Sequence, residues 1–330
     1  MKGGLPFRPV ILGCVFLVGY GVSPGWSEGK SSALPFLTLD VSARSAGMGG
    51  AQVAVVDDAT AVLSNPAALR RLIRPTVSMF HSSYVGSSFF DFVGVGRRVG
   101  RTGAFGVGAQ FLSQGRLERI DTEGNTTGNF SPNDAALSFG YAGEFGGTFL
   151  GVGGKYIRSS LSDTASTFAG DAGILSPPLM DQTVRLAAVV SNLGPEIKYK
   201  SKSESLPTQG RAGVRFEANA QWNFAADIVF PIAGDIYSAL GGEYHVPLDG
   251  SLDVFLRGGY NTRAKGMDSL SGFSGGIGFG HALFDVDYAL VTLGDLGLSH
   301  QFSLTFRFGP ETKPPTPKKF PPGLPRNLNE

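Results

Sequence analysis

Asp285 and Asp287 are the pair of residues in this chain with the clearest capacity for chemistry. Two positions apart on a strand, they share one face at about 7 Å, a spacing at which carboxylates can act as acid and base. The competing reading is electrostatic: both turn inward and pair with upstream cations, Arg44, Arg70 or Arg71. Asp171, Asp227, Glu243 and Arg257 are candidates for the same charge network. Gly272-Phe273-Ser274-Gly275-Gly276 matches a hydrolase nucleophile pattern. That pattern needs a strand–turn–helix elbow, and here no helix follows, so glycine-rich composition explains it. Gly94-x-Gly96-x-x-x-Gly100 likewise imitates a dinucleotide loop without the helix that would hold a phosphate. His81, His245, His281 and His300 lie far apart with no metal-ligand spacing. No catalytic residue, metal or cofactor is expected.

The elements that position these residues alternate with period two. In 102–112, Phe105, Val107, Ala109 and Phe111 fall on one face, with Ala104, Gly106, Gly108 and Gln110 on the other. The same alternation recurs around Leu137, Val152, Phe224, Val254, Val286 and Leu304, the signature of strands lying between two different media. The apolar faces carry no charge, although charged residues stand beside them in sequence. One Lys or Arg on the lipid face at mid-membrane costs about 2–4 kcal/mol, so this segregation points to hydrocarbon. A soluble sandwich would alternate too, but its outer face would be more densely charged than these Gly-, Ser-, Gln- and Asn-rich faces.

About fourteen strands fit between Pro75 and Phe308, an even number as bacterial barrels require. Connections near 99–100, 144–147, 217–219, 247–250 and 280–283 are tight, while 113–131, 159–166, 194–209, 261–270 and 291–297 are longer. Short turns at one end and long loops at the other are the barrel rule. The connections at 86–88 (short) and 176–181 (medium) fit it less well.

Composition agrees. Charged residues make up 17% of 330, and Lys+Arg 28 against Asp+Glu 27 nearly cancel, which leaves no basic stripe for nucleic acid. Glycine, at 48 residues, is about twice its usual ~7% share. Lys2 and Arg8, an apolar run over 9–22, and the small residues Gly25 and Ser27 read as a signal peptide over 1–27. Ile11-Leu12-Gly13-Cys14 loosely resembles a lipobox, but the apolar stretch continues past the cysteine. Cys14 is the only cysteine, so a mature chain beginning after 27 has neither disulfides nor thiol chemistry. The segment 309–330, rich in Pro and Lys, is expected to be a disordered periplasmic tail.

Residues 28–74 break the alternation. They contain Arg44-x-x-Gly47-Met48-Gly49-Gly50-Ala51, Asp57-Asp58-Ala59 and Asn65-Pro66-Ala67-x-Leu69. A barrel of fourteen strands is too wide for its own side chains to fill, and inward glycines at Gly106/Gly108, Gly151/Gly153 and Gly276/Gly278 would make room for a plug. This run resembles the N-terminal hatch of FadL-type outer-membrane barrels, most of all their PorV/PorQ branch. Further matches are Ser191-Asn192-Leu193-Gly194-Pro195, Leu206-Pro207 before Arg211-x-Gly213, and Arg257-Gly258-Gly259-Tyr260.

The expected fold is therefore all-β: a transmembrane antiparallel barrel over 75–308 whose lumen is plugged by a hatch over 28–74. Arg44, Gly47, Met48, Gly49, Asp57, Asp58, Asn65, Pro66 and Ala67 are the candidate hatch and gating residues. The resemblance implies one of two non-enzymatic roles in the bacterial outer membrane. PorV-like relatives are partners of type IX secretion that receive cargo proteins, whereas FadL-like relatives pass fatty acids or other hydrophobic molecules. Expected partners are outer-membrane lipid, with cargo proteins, secretion subunits or an apolar small molecule. A secreted β-sandwich adhesin is the remaining alternative.

Overall fold

The computed structural model describes residues 32–309, apart from 85–86, 121–123, 162, 201, 249–251, 265–269 and 295–296. The leader expected over 1–27 and the tail expected beyond 309 lie outside the described residues.

Alternation produces strands throughout: β1 (Thr76–Ser83), β2 (Phe89–Val99), β3 (Gly103–Ser113), β4 (Leu117–Ile120), β5 (Thr126–Phe130), β6 (Asn133–Phe145), β7 (Thr148–Ser160), β8 (Thr164–Leu175) and β9 (Val184–Leu193). The second half adds β10 (Ile197–Tyr199), β11 (Lys202–Glu204), β12 (Gln209–Glu217), β13 (Trp222–Pro231), β14 (Tyr237–Pro247), β15 (Leu252–Asn261), β16 (Phe273–His281), β17 (Phe284–Thr292) and β18 (Leu298–Arg307). β4/β5 and β10/β11 form two separate two-stranded sheets within long connections. The other fourteen strands close into one antiparallel barrel, in which β1 pairs with both β2 and β18. A single closed sheet overturns the sandwich alternative, because a sandwich needs two facing sheets.

The outward face is greasy and uncovered. Leu137, Phe139 and Val152 are 57%, 56% and 60% exposed, whereas the intervening Ser138 is buried. A soluble monomer rarely tolerates so continuous an apolar surface; a wall against lipid requires it. The inward face is less polar than alternation alone suggests. Phe80, Phe90, Phe92 and Ile157 point inward and are buried, joining Phe36, Val62, Leu69 and Leu72 in one cluster. The core of this protein therefore lies inside the barrel, because the hatch brings apolar side chains that need a partner.

At one end, the turn end, connections such as 100–102, 146–147 and 282–283 are tight. The other, the loop end, carries the two extra hairpins. The connection expected over 159–166 shrinks to 161–163, because β7 and β8 pair out to Ser160 and Thr164, whose hydroxyls are 3.2 Å apart. The hatch starts at the loop end, where the Ala33 amide donates to the Ser205 carbonyl at 3.0 Å. It passes through a 3₁₀ turn (Pro35–Thr38), α1 (Ala43–Gly47), α2 (Ala61–Ser64) and a second 3₁₀ stretch (Pro66–Arg71) before entering β1.

Candidate functional site

Two seats fix the hatch to opposite parts of the wall. The first holds Gly47-Met48-Gly49 against β14, β15 and β16. Gly241 and Gly259 are cross-strand partners, and together they form a notch in the wall. A Cβ on Gly241 would lie 2.5 Å from the Met48 Cβ, and one on Gly259 would overlap the Gly49 amide. Gly49 itself has φ 68°, a left-handed conformation that glycine adopts freely. Ser274, the serine of the Gly-x-Ser-x-Gly run, accepts the Gly49 amide at 3.0 Å. Asn261 donates to the Gly49 carbonyl at 2.9 Å.

The second seat holds Asn65-Pro66-Ala67 against β7 and β8. Gly151 and Gly173 are again cross-strand partners. A Cβ on the first would overlap Ala67 and one on the second would overlap the Asn65 side chain. Asn65 caps the following 3₁₀ stretch by accepting the Ala67 amide at 3.1 Å, with Pro66 in the first position, a role suited to both residue types. Its Nδ2 donates to Val53 O at 3.0 Å and to Ile174 O on β8 at 3.4 Å. Beyond it, Leu69 and Val62 lie on a row of inward glycines. Gly96, Gly106 and Gly140 are successive cross-strand partners over β2, β3 and β6.

Charges join the first seat to the wall. Arg44 donates to both oxygens of Glu243, at 2.9 and 2.8 Å, and to Asp57 at 3.0 Å. Arg257 donates to the same Glu243 at 2.7 Å and to Asp287 at 2.7 Å. Glu243 and Arg257 are both buried, so each carboxylate oxygen and guanidinium hydrogen must find its partner here. Arg71 donates to the carbonyls of Ala54 and Val56 and lies 3.4 Å from Asp57. Burial opposes ionisation of Asp57, yet Arg44 and Arg71 together hold its carboxyl below the usual carboxylate range. Among the described residues no cation pairs with Asp58. It accepts from the Thr60 amide and hydroxyl, and burial pushes its carboxyl up to about 6.

The expected charge network thus divides. Glu243, Arg257 and Asp287 meet Arg44 and Asp57 in one cluster. Asp227 forms a separate clamp, accepting the Gln52 and Val53 amides at 2.8 and 3.2 Å beside Arg211. Asp171 bonds within the wall instead, paired with Lys155 at 3.0 Å and accepting the Asn192 amide at 2.8 Å.

The pairing of Asp285 and Asp287 with Arg44, Arg70 or Arg71 is corrected. Asp285 pairs with Arg307 and Asp287 with Arg257, both on the wall. Gly278 between β15 and β17 leaves the gap through which Arg257 reaches Asp287. Arg70 instead pairs with Glu144. Gly153 and Gly278 accordingly make room for wall side chains, whereas Gly106, Gly151 and Gly276 meet the hatch.

Sequence reasoning did not single out Arg211, Ser274, Asn261 or Ser303 as hatch partners, the last accepting the Ala43 amide at 2.7 Å. Their signal was inward parity combined with polarity. Among the described residues no cluster of His, Cys, Asp or Glu could hold a metal. The histidines instead bond locally, His81 to Asp91 and His245 to Asp253, each at 2.7 Å, and His300 to Tyr288 at 2.8 Å. A cavity of about 570 Å³ opens at the loop end between Pro35, Pro207, Pro231, Tyr237 and Arg263. Another of about 280 Å³ lies at the turn end among Arg44, Asp58, Asp285 and Arg307.

The family profile described as type IX secretion system protein PorV matches residues 28–226, hatch included. The chain belongs to the PorV family. Solved structures place this PorV-family chain in the FadL-like fold. The Pseudomonas putida toluene transporter TodX aligns with a TM-score of 0.56 at 12% identity, over 81% of this chain and 96% of its own. The CymD monoaromatic hydrocarbon channel gives 0.58 at 13% identity, over 84% and 99%. A Pseudomonas aeruginosa FadL homologue gives 0.54 at 10% identity, over 82% and 98%. At such identities the likeness is one of fold. No curated protein sequence matches the chain.

Proposed function

We propose that this chain is an integral protein of the bacterial outer membrane, delivered by a cleaved leader, which works without catalysis as a partner in type IX protein secretion. Membership of the PorV family carries this reading. Oriented with the turn end in the periplasm, the barrel offers cargo proteins or secretion subunits its loop-end surface and outer wall. The hatch keeps the membrane sealed meanwhile. Two seats in which backbone meets backbone suit a closed docking barrel. The candidate gating residues act as fasteners in this reading, with Arg44, Met48 and Asn65 central.

A second reading, a channel for hydrophobic solutes, draws on the FadL-like fold and on the loop-end cavity of about 570 Å³. Deleting the gene in its own host distinguishes the two. Loss of surface delivery of cargo bearing C-terminal sorting domains, restored by the wild-type gene, is the outcome expected. Normal cargo delivery combined with lost uptake of an apolar probe would replace secretion with the channel.

A further inference from the structure

Three arginines converge at the turn end of the lumen, beside Asp57 of the first seat's charge cluster. Arg185 on β9 and Arg215 on β12 are direct cross-strand partners, and both occupy inward positions of their strands. Like charges directly opposite on a ladder repel. Arg71 of the hatch completes the group. Its guanidinium is pushed down to about 9, first by burial, which Asp57 only partly offsets, and then by the nearby Arg215, Arg185 and Arg44.

The available carboxylates do not balance this charge. Asp57 is shared between Arg44 and Arg71, and Glu217 is taken by Arg215 at 2.7 Å. Asn223 accepts the Arg215 Nε at 3.0 Å and brings no charge. The Arg185 guanidinium makes no hydrogen bond or ion pair among the described residues, and its Nη1 is buried without a partner. By contrast, each lumen arginine of the hatch network meets a carboxylate. A buried donor left unsatisfied is costly, and a guanidinium fork is shaped to hold two oxygens of one oxyanion.

We infer that Arg185 and Arg215, backed by Arg71, form a binding site for a compact oxyanion of the phosphate type, entered from the turn end. The anion takes the open Arg185 donors and screens the Arg185–Arg215 repulsion. Because Arg71 also clamps the hatch carbonyls of Ala54 and Val56, occupancy tightens the hatch loop against this side of the wall. The phosphate can come from solution or from a lipid headgroup.

Equilibrium dialysis of the detergent-purified full chain against labelled inorganic phosphate, in chloride-free buffer, tests the site. The expected result is saturable binding of one phosphate per chain, weakened about tenfold or more in Arg185→Gln and less in Arg185→Lys. Since the Arg185 guanidinium bonds to nothing else among the described residues, Arg185→Gln should keep wild-type heat-modifiable migration and unfold no earlier without phosphate. Repeating the dialysis in micelles doped with phosphatidylglycerol separates the sources. Displacement of phosphate by the lipid in wild type identifies a headgroup ligand, and undiminished binding identifies a soluble one. Absence of saturable binding in millimolar phosphate, or binding that Arg185→Gln leaves unchanged, overturns the site.

Discussion

The two hatch seats solve one problem with different chemistry. Both rest on a pair of glycines facing each other across a ladder, Gly241/Gly259 at the first and Gly151/Gly173 at the second. Around the first the wall supplies charge, with Glu243 held between Arg44 and Arg257. Around the second it supplies a neutral acceptor, the Ile174 carbonyl, for Asn65 and a glycine bed for Val62 and Leu69. Close backbone approach is thus the shared requirement. The ionic seat should respond to loss of a charge, and the neutral seat to steric changes and to loss of its Asn65 hydrogen bonds.

The largest effect is expected from filling a notch. Gly259→Val places a side chain where Gly49 lies and should unseat the α1 half of the hatch, at a cost of about 3 kcal/mol or more. Gly151→Val should do the same to the Asn65 half alone. Protease cleavage mapped along 32–74, with single-channel conductance in planar bilayers, checks both. Cleavage in the same half for both variants would break the distinction between seats.

Next comes Glu243→Gln, which leaves Arg44 and the buried Arg257 without their shared carboxylate. Removing one partner from a buried ion cluster costs about 3–5 kcal/mol. Asn65→Ala, losing a cap and two neutral bonds, should cost about 1–2 kcal/mol. Hydrogen exchange of the α1 amides and of the amides in the 3₁₀ stretch after Asn65 reads the two separately, and equal losses would argue that the charges add nothing special.

A smaller effect is expected from pH. Asp58 has a folded-state carboxyl raised to about 6, so between its ordinary value and about 6 the folded hatch binds more protons than the unfolded chain. Its contribution is therefore most favourable below the ordinary carboxylate value and is lost as pH rises through about 6. Asp57 runs the other way: held below its ordinary value, it stabilises the hatch above that value and ceases to do so only in stronger acid. Exchange near α2 should accordingly slow as pH falls from 7 to 5, after correction for intrinsic rates, and Asp58→Asn should remove that trend. The smallest effect belongs to Asp285→Asn. Its pair with Arg307 is partly exposed and lies wholly in the wall, so it should cost less than about 1 kcal/mol and leave conductance unchanged.

Much of the architecture was legible because its cause is local. Phe105, Val107, Ala109 and Phe111 face outward simply because a strand has period two. The Asn65-Pro66-Ala67 corner was readable because capping and proline geometry act within a few residues. The charge partners were not readable in the same way. Asp287 belongs to Arg257, thirty positions upstream, because β16 places Gly278 between them. Ser274 looked like chance in a glycine-rich run, yet it receives the hatch amide of Gly49.

By itself the sequence determined which side of each strand is greasy, how many strands can close, and that a non-alternating segment precedes them. All three follow from residue order and steric period. Only the tertiary structure decided which glycines form notches, which arginine meets which carboxylate, and where arginines are left facing one another. Those outcomes depend on inter-strand register and on the depth of the hatch. Both are set by closure of the whole barrel, a long-range condition that no short window of residues contains.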